Sequence, residues 1–517
     1  MAETLYWGDL HCHTGLSYGR GTPEAALANG RAHVDFVALI GHAFWPDMGV
    51  TAADPTGWDA RHLGGFERLR LLWPAARELI ERENRPTKFI TFLGYEWHSN
   101  AWGDYNVLYR DATAEAELAG APDIDTLKEQ ARGKTAYVFP HHLGYMKAER
   151  GINWDTYTSD LSPVVEICSG HGEFEADDGG PNAVDWIPMG PRVTRGCLRE
   201  GLKRGFRFGV IGSTDNHSAY PAAYNGGRAG VYASALTREA IWDALAARRT
   251  IAAKGDSIAL WLEANGAPLG SEIHVPDGRV HLAFSVRGED AIDKVELIRN
   301  EHIHRVWHPN DPPVIHQTKG SDPFVCTRFQ RGSATFSGLI HNKKGSDPFF
   351  KVRLQIGWGN SPYLTDWAGV LKVRGGEVRA VRPYFQTAND QDPNDGGRQQ
   401  LDSWDSHGFS FRCLALGPVQ QYVAELAGAP DTQLVFESNQ SAFRTSLGDL
   451  GERSIAGRER KHTSTAAKLC QAVPERAYAF AADFDDDLAD LAEARYYLRV
   501  TQQNLQRAWS SPIWVRT

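Results

Sequence analysis

The chain has 517 residues, of which 42% are hydrophobic and 11% aromatic, and it carries a formal net charge of −9. This length exceeds one ordinary hydrophobic core, so we expect two domains or three. The negative charge and the lack of any run rich in Lys and Arg argue against a nucleic-acid-binding protein. No apolar segment approaches the ~20 residues needed to cross a bilayer.

The N-terminal sequence and the spacing of the cysteines indicate where in the cell the protein is expected. A strand pattern starts at once, with no basic region followed by an apolar core, so we expect no signal peptide. The six cysteines are scattered and no Cys-x-x-Cys occurs. In a chain of this length such spacing indicates reduced thiols and a cytoplasmic location rather than a disulfide framework.

The first half of the chain alternates short apolar strands with amphipathic helices. The predicted strands are residues 5–7, 35–40, 89–93, 136–139, 164–167 and 206–211. The predicted helices are residues 23–32, 64–84, 124–132, 194–204 and 237–248. Thr22 suits an N-cap and Pro23 the first helical position. Strands that alternate with helices predict parallel β-α-β units.

Histidines and carboxylates follow the C-terminal ends of these strands. His11 and His13 share one face of an extended segment and can direct both imidazoles at one point. The other candidates at strand ends are His42, Glu96, His141, His142, His171, Asp215 and His217. In a closed barrel of parallel strands these ends meet on one face, where active sites are built. Burying so many imidazoles and carboxylates is costly without a cation, and the mixture suits Zn²⁺, Mn²⁺ or Fe²⁺.

From about residue 256 short alternating runs replace the helical periodicity. They are residues 258–264, 280–286, 294–299, 350–356, 433–437, 496–502 and 512–515. Such runs, with the hairpin signal Asn265-Gly266, are typical of an antiparallel sandwich. Polar residues 386–410 predict a long loop. The hexapeptide Lys-Gly-Ser-Asp-Pro-Phe occurs at 319–324 and 344–349, and we interpret it as an Asp-Pro turn that starts a strand; a duplicated ligand-binding loop is the alternative.

These ligands resemble a known set. Gly8-Asp9-Leu10-His11-Cys12-His13-Thr14, the strand end at His42, Glu96, Pro140-His141, His171 and Asp215-Asn216-His217 look like motifs of the polymerase and histidinol phosphatase (PHP) superfamily. The resemblance covers roughly residues 1–255, and residues 249–256 and 508–514 extend it to a large subfamily with an added C-terminal module. It implies an α/β fold, with a distorted (β/α)7 PHP-type barrel at 1–255 and a mostly-β, sandwich-like domain at 256–517.

The resemblance implies two or three divalent metal ions. The first would be held by His11, His13, Glu96 and Asp215, the second by Glu96, His141 and His171, and the third by His42 and His217. The family usually places an acidic or histidine ligand shortly after the second histidine of its first motif, where this chain has Ser17-Tyr18-Gly19. Gly41 stands where an Asp commonly precedes His42. The third site is therefore expected to be weak, or completed by another residue.

The implied activity is that of a di- or trinuclear metal-dependent hydrolase of a small phosphomonoester or phosphodiester, acting through a metal-activated hydroxide. The residues expected to act in catalysis are Glu96, Asp215 and His217. Hydrolysis of a carboxylic ester, lactone or amide is the alternative, because the same Lewis acid serves carbonyl groups. A non-catalytic domain whose sandwich binds a partner is the third hypothesis. The expected partner is a small-molecule substrate, with neither nucleic acid nor membrane, and a homo-oligomer is left open.

Side chains near the ligands predict the surroundings of the site. Substrate contacts are expected from Tyr18, Arg20, His142, Tyr145 and Arg150, of which the arginines would clamp an anion. Neighbours in an extended segment point oppositely, so His141 is chosen over His142 as a ligand and Cys12 is assigned to the core. His33, His62 and His98 are expected on the surface or behind ligands. An aromatic-walled pocket is expected from Trp45, Trp58, Trp102, Tyr145 and Trp154. A wide mouth lined by Tyr18 would favour diesters or bulky aromatic esters.

Overall fold

The computed structural model describes residues 3–49, 56–118, 120–176, 193, 195–224, 226–310, 315–316, 324–325, 349–358, 365–386, 400–415, 419–457, 466–488 and 491–517. The strands of the first half are β1 Thr4–Cys12, β2 Phe36–Phe44, β3 Ile90–Trp97, β4 Tyr105–Tyr109, β5 Ala136–Pro140, β6 Val164–Ser169, β7 Gly172–Glu173, β8 Gly209–Gly212, β9 Gly227–Ala233 and β10 Thr250–Lys254. Its helices are α1 Pro23–Arg31, α2 Trp58–Glu83, α3 Ile124–Ala131, α4 Leu198–Lys203 and α5 Arg238–Ala246, with a 3₁₀ turn at Trp154–Thr156.

Side-chain caps define the starts of three helices of the first half. The Thr22 hydroxyl accepts a hydrogen bond from the amide of Ala25 ahead of α1, where Pro23 takes the first helical position as predicted. Asp123 and Thr237 cap α3 and α5 in the same way. The prediction for 194–204 was too long, because α4 begins at Leu198. The predicted strand at 206–211 is displaced, since β8 starts at Gly209.

Parallel pairing holds in part of the first half. β1 pairs with β2, β2 with β3, and β6 with β8 in parallel. The uniformly parallel pattern is wrong elsewhere: β4 lies antiparallel between β3 and β5, and β9 lies antiparallel between β1 and β10. β4 was not predicted, because Asn106 interrupts its short apolar run. Closure into a (β/α)7 barrel stays a prediction.

The end of β8 lies beside the end of β1. The amide of His13 donates to the carbonyl of Asn216 over 2.8 Å, and the amide of Asp215 donates to the carbonyl of His11 over 2.8 Å. These two bonds bring the ligand-bearing segments from opposite ends of the first half together. The contact of β1 with the segment after β8 therefore places Asp215 beside His11 and His13.

The second half is dominated by strands. They are β11 Ala259–Ala264, β12 Ala267–Pro268, β13 Glu272–His274, β14 Arg279–Arg287, β15 Ile292–Arg299, β16 His302–Trp307, β17 Ile315–His316, β18 Phe324–Val325, β19 Phe349–Trp358, β20 Thr365–Tyr384, β21 Gln400–Asp405, β22 Gly408–Ala415, β23 Gln420–Ser438, β24 Ala442–Ser446, β25 Ile455–Gly457, β26 Ala466–Leu469, β27 Val473–Pro474, β28 Ala479–Asp487, β29 Glu493–Gln502, β30 Arg507–Ser510 and β31 Ile513–Arg516. Two short helices, α6 Leu447–Glu452 and α7 Glu475–Tyr478, interrupt them.

The predicted strand runs of the second half are all confirmed. Asn265 and Gly266 have φ of 49° and 78° and form the turn between β11 and β12, as their sequence indicates. The loop prediction for 386–410 is wrong from residue 400 onward, because β21 and β22 pair there and bury Phe409. Residues 387–399 and most of both hexapeptides lie outside the described residues; the last residue of each copy begins a strand, β18 or β19.

The largest sheet joins the two halves of the chain. Its thirteen strands include β1 to β5, β9 and β10 from the first half and β13, β15, β16, β29, β30 and β31 from the second. β10 has β9 on one side and β30 on the other. The predicted boundary at 255/256 and the sandwich-like nature of the second half stay predictions.

Two further sequence expectations can be compared with the described residues. The five cysteines described there, at positions 12, 168, 197, 413 and 470, are free thiols, as predicted. No helix of the described ranges combines the length and apolarity needed to cross a membrane.

Candidate metal centre

The eight predicted metal ligands meet at one place, at the C-terminal ends of β1, β2, β3, β5, β6 and the segment after β8. Glu96 lies at the centre of this cluster. Its Oε2 is 3.2 Å from His42 Nε2 and 3.4 Å from His13 Nε2, whereas its Oε1 is 2.9 Å from His141 Nε2. The two carboxylate oxygens therefore face different histidines, as expected of a carboxylate that bridges two cations.

Asp215 is the second carboxylate of the cluster. Its Oδ1 lies 3.0 Å from His13 Nε2, and its Oδ2 lies 3.0 Å from His171 Nε2 and 3.4 Å from His142 Nε2. The backbone at Asp215 has φ of 53°, in the left-handed region that Asp tolerates better than most residues. This conformation turns the side chain back toward β1.

Hydrogen bonds behind the histidines orient their rings. His13 Nδ1–H donates to the carbonyl of Ile40 over 2.9 Å, and His11 Nδ1 lies 3.1 Å from Glu166 Oε2. Such partners fix the tautomer and direct the opposite nitrogen inward. His11 Nε2 and His13 Nε2 consequently approach to 3.0 Å, which requires a shared proton or cation between two nitrogens that both face the centre.

The proposed third site gathers around His42 and His217. Their Nε2 atoms are 3.2 Å apart, and His13 completes a group able to hold an ion. The Ser17 hydroxyl lies 3.0 Å from His42 Nδ1, and the Tyr18 ring stacks on the His42 ring with centroids 3.7 Å apart. Tyr18 thus covers His42, and Ser17 buttresses it from behind.

Burial and charge make the cluster suited to a cation. Burial lowers the pKa of His42 well below its ordinary value, and the nearby His13 lowers it further. Burial alone would raise the pKa of Glu96, but His98, His141 and His42 hold it well below its usual range. His141 Nε2, although 2.9 Å from Glu96, makes no hydrogen bond of acceptable geometry within the described residues, nor does His141 Nδ1. A divalent ion fits this set of imidazole and carboxylate donors.

Comparison with known proteins gives limited similarity. No family model matches the chain. An uncharacterised protein of Chlamydia pneumoniae is 29% identical over 258 residues, which cover 46% of this chain and 41% of that protein. An uncharacterised protein of Chlamydia trachomatis serovar D is 28% identical over 190 residues, covering 34% and 30%. The matches thus span less than half the length of these curated relatives.

One solved structure is similar. It is a two-domain protein from Bacteroides vulgatus that contains a predicted PHP-like metal-dependent phosphoesterase. It is 15% identical, covers 57% of this chain and 79% of its own, and has a TM-score of 0.34. A similarity of that size carries no argument, so the function has to be argued from the geometry of the centre.

Four of the five predicted substrate residues lie at the centre. Tyr145 donates or accepts a 2.7 Å hydrogen bond with His171 Nδ1, and the rings of Tyr145 and His142 are stacked. Arg150 is partly buried, its Nε donates to Asp104 over 2.6 Å, and its guanidinium lies 5.0 Å from the Trp45 ring centroid. The Arg20 side chain is exposed instead, and only its backbone amide reaches the centre, donating to the carbonyl of residue 217.

His141 was chosen over His142 on the premise that the two residues lie in an extended segment and point to opposite sides, and that premise is wrong. His142 has φ of 53°, so residues 141–142 are not an extended segment, and both rings face the centre. The choice of His141 as the ligand stays a prediction. Cys12 is buried in the core, as the same argument predicted for β1.

The remaining aromatic and histidine candidates separate into two groups. Trp45, Trp58 and His62 contact one another beside Tyr18, with the Trp58 and His62 centroids 4.0 Å apart. Trp102 and Trp154 pack into hydrophobic core instead, and His33 contacts the carbonyl of Pro221 away from the centre.

The sequence reasoning missed several residues around the centre. Glu166 is fully buried behind His11, and the Asn106 amide lies 3.0 Å from the same ring nitrogen. His98 was expected on the surface or behind ligands, and it takes the second of these positions: it is fully buried, with Nδ1 3.2 Å from both Glu96 Oε1 and Asp104 Oδ2. A signal was present for Glu166 and Asn106, since each is a polar residue within a short apolar run that forms a buried strand.

Proposed function

We propose that this protein is a metal-dependent hydrolase of a small phosphoester, with two or three divalent ions of Zn²⁺, Mn²⁺ or Fe²⁺. The observation that carries the proposal is the position of Glu96, whose two oxygens face separate histidines of a buried ligand cluster. The proposal includes a PHP-type fold, in which the parallel strands β1–β3, β6 and β8 belong to a distorted (β/α)7 barrel followed by a sandwich-like domain.

The side chains of the centre have two proposed roles: some would bind the metal ions, and others orient these ligands. The ions would be held by His11, His13, His42, Glu96, His141, His171, Asp215 and His217. When bound, divalent ions supply Lewis acidity and activate water near neutral pH. Glu166 and the carbonyl of Ile40 support this arrangement by orienting His11 and His13.

Arg150, which is paired with Asp104, lies beside the carboxylate of Glu96. The Arg150 guanidinium is 3.6 Å from Glu96 Oε1 while it is paired with Asp104. Its positive charge is thus balanced by two buried carboxylates. We therefore propose that Arg150 first holds Glu96 in place and that its clamping of a substrate anion is secondary.

An aromatic rim, formed by Tyr18, Trp45, Trp58 and His62, favours substrates with an apolar or aromatic group. The rim runs from the Tyr18 ring, stacked on His42, outward to Trp58, which is 43% exposed. The Arg61 guanidinium lies 5.2 Å from the Tyr18 ring centroid at the same place. Planar rings beside a cationic group suit an aryl phosphodiester or a bulky aryl ester.

The test is metal analysis of protein purified without chelator, followed by paired aryl phosphoesters and aryl carboxyl esters on the metal-loaded protein. Glu96→Gln should lose metal and phosphoesterase activity together. Glu289→Gln is the matched control, because Glu289 is a buried carboxylate paired with Lys351 in the second half. If the protein hydrolyses carboxyl esters but no phosphoesters, the proposed reaction is wrong and the alternative, hydrolysis of a carboxylic ester, is favoured. Metal-loaded protein that hydrolyses neither class would refute it.

A further inference from the structure

The loop that carries His171 is held from both sides by a cross-strand pair of basic residues. Lys254 closes β10, Arg507 opens β30, and the two are direct partners in the antiparallel register. Lys254 Nζ donates to the carbonyl of Ser169 over 2.6 Å, and Arg507 NH1 donates to Glu173 Oε2 over 2.8 Å. Ser169 and Glu173 stand two residues before and two residues after His171.

Lys254 and Arg507 are more deeply buried than charged side chains usually are. Lys254 is 8% exposed and Arg507 is 5% exposed, while Glu173 is 1% exposed. Like charges directly opposite each other on neighbouring strands are destabilising, and burial increases the cost. The cost is offset only where both cations find partners, and they find them on the two flanks of the His171 loop.

The segment after His171 is tied to the second half a second time. Glu175 accepts hydrogen bonds from Arg499 NH1 and from the indole of Trp509, each 2.8 Å long. Both donors belong to β29 and β30. The chain from Ser169 to Glu175 is thus clamped at three points by β10 and by strands of the second half.

We infer that Lys254 and Arg507 are positioning residues, through which β10 and the strand of the second half paired with it set the place of His171 in the metal centre. The inference rests on the proposed metal-dependent function. His171 Nε2 is 3.0 Å from Asp215 Oδ2, so a small movement of its loop would separate it from the other ligands. The second half of the chain thereby completes the centre, in addition to any binding role of its own.

The experiment compares Arg507→Met with Arg507→Lys and with a control, Lys351→Met, in the full chain. Lys351 is similarly buried and is paired with Glu289 over 2.7 Å, in a sheet separate from the one that holds β10 and β30. Metal stoichiometry and affinity are measured by titration of the metal-free proteins with Mn²⁺ and Zn²⁺. Amide hydrogen exchange of residues 169–176 is measured without metal.

Arg507→Met should weaken one of the bound ions by up to about 10-fold, the lower end of the effect of losing a direct partner of a ligand, because Arg507 contacts Glu173 and acts on His171 only through the loop. The affinity for the remaining ions should not change. Exchange of residues 169–176 should accelerate in the same variant, and Arg507→Lys should restore part of both properties. The control should keep wild-type metal affinity even if its unfolding temperature falls.

Unchanged metal affinity and unchanged exchange in Arg507→Met would overturn the inference. So would an equal loss of metal in Lys351→Met, because it would show a general effect of destabilisation. Wild-type protein that binds no metal would refute the proposed function itself and the positioning role with it. This last result differs from the first two, in which the wild type binds its ions normally.

Discussion

Glu175 provides a quantitative test of how the two halves are joined. This carboxylate is almost completely buried and accepts hydrogen bonds from four side chains. Tyr497, Arg499 and Trp509 donate over 2.8 Å each, and Arg199 donates over 3.0 Å. Burial raises the pKa of Glu175, but Arg499 and Arg199 outweigh it and lower the pKa to about 2.

The pKa gives the size and the sign of the effect. Glu175 would titrate at its ordinary value of 4.5 in the unfolded chain and at about 2 in the folded protein. This difference corresponds to about 3 kcal/mol of folding stability. Because the pKa is lower in the folded state, the contribution is fully present above pH 4.5 and is lost as the pH falls toward 2.

The perturbation is Glu175→Gln, which keeps the shape of the side chain and removes its charge. At pH 7 the free energy of unfolding should fall by about 3 kcal/mol, because the buried guanidinium group of Arg499 and the partly buried one of Arg199 lose part of their compensation. The difference between wild type and variant should shrink as the pH is lowered from 4.5 to 2. Glu67→Gln is the control, since Glu67 pairs with Arg70 on the exposed side of α2.

The assay is urea unfolding at a series of pH values, followed by circular dichroism and by tryptophan fluorescence. Coincident transitions by the two probes justify the use of a single free energy. Equal stability of wild type and Glu175→Gln at pH 7 would refute the ion-pair argument. A loss that stays constant from pH 7 to pH 3 would show that packing, and not charge, accounts for it.

Four further predictions concern the metal centre. Elemental analysis should find at least two transition-metal ions per chain, and less than one would contradict the ligand assignment. Glu96→Ala should lose metal, and its activity should fall by at least about 100-fold, which is more than the loss of a side chain behind a ligand costs. His142→Ala should keep its metal. An equal loss of metal in both variants would show that His142 is a ligand. Tyr18→Ala should raise KM for an aryl diester by about 2- to 10-fold without affecting an alkyl analogue, and an equal effect on both would exclude stacking. Added Mn²⁺ should stimulate turnover of the aryl diester more than that of the monoester, and a monoester preference already complete without added metal would show that the third site is full.

The ligands could be located from the sequence because each depends on local information. His11 and His13 lie two residues apart at the end of an apolar run, and such a run predicts a strand whose alternate side chains share a face. The same reasoning placed Glu96 and His171 at strand ends. Convergence of these ends then followed from the parallel pairing of neighbouring strands, which is correct for β1 to β3.

The features that were missed depend on conformation or on distant pairing. The positive φ of His142 turns its ring toward the centre. Residues other than glycine adopt such a φ uncommonly, so no sequence pattern predicts it. Glu166 supports His11 across 155 positions of the chain. β10 and β30 are separated by about half of the chain, and hydrophobic periodicity says nothing about which distant strand a segment joins.

The pairing of β10 on both of its edges limits how this chain can be divided. A fragment that stopped at residue 255 would leave the edge of Ile251 to Lys254, which now pairs with Arg507 to Ser510, open to solvent. An open edge with buried apolar neighbours invites pairing with another copy of the same fragment. Such a fragment should therefore scatter light as a multimer when it is expressed alone. A shortened chain for metal-binding measurements should therefore retain β29 to β31, which supply and support the partner of β10.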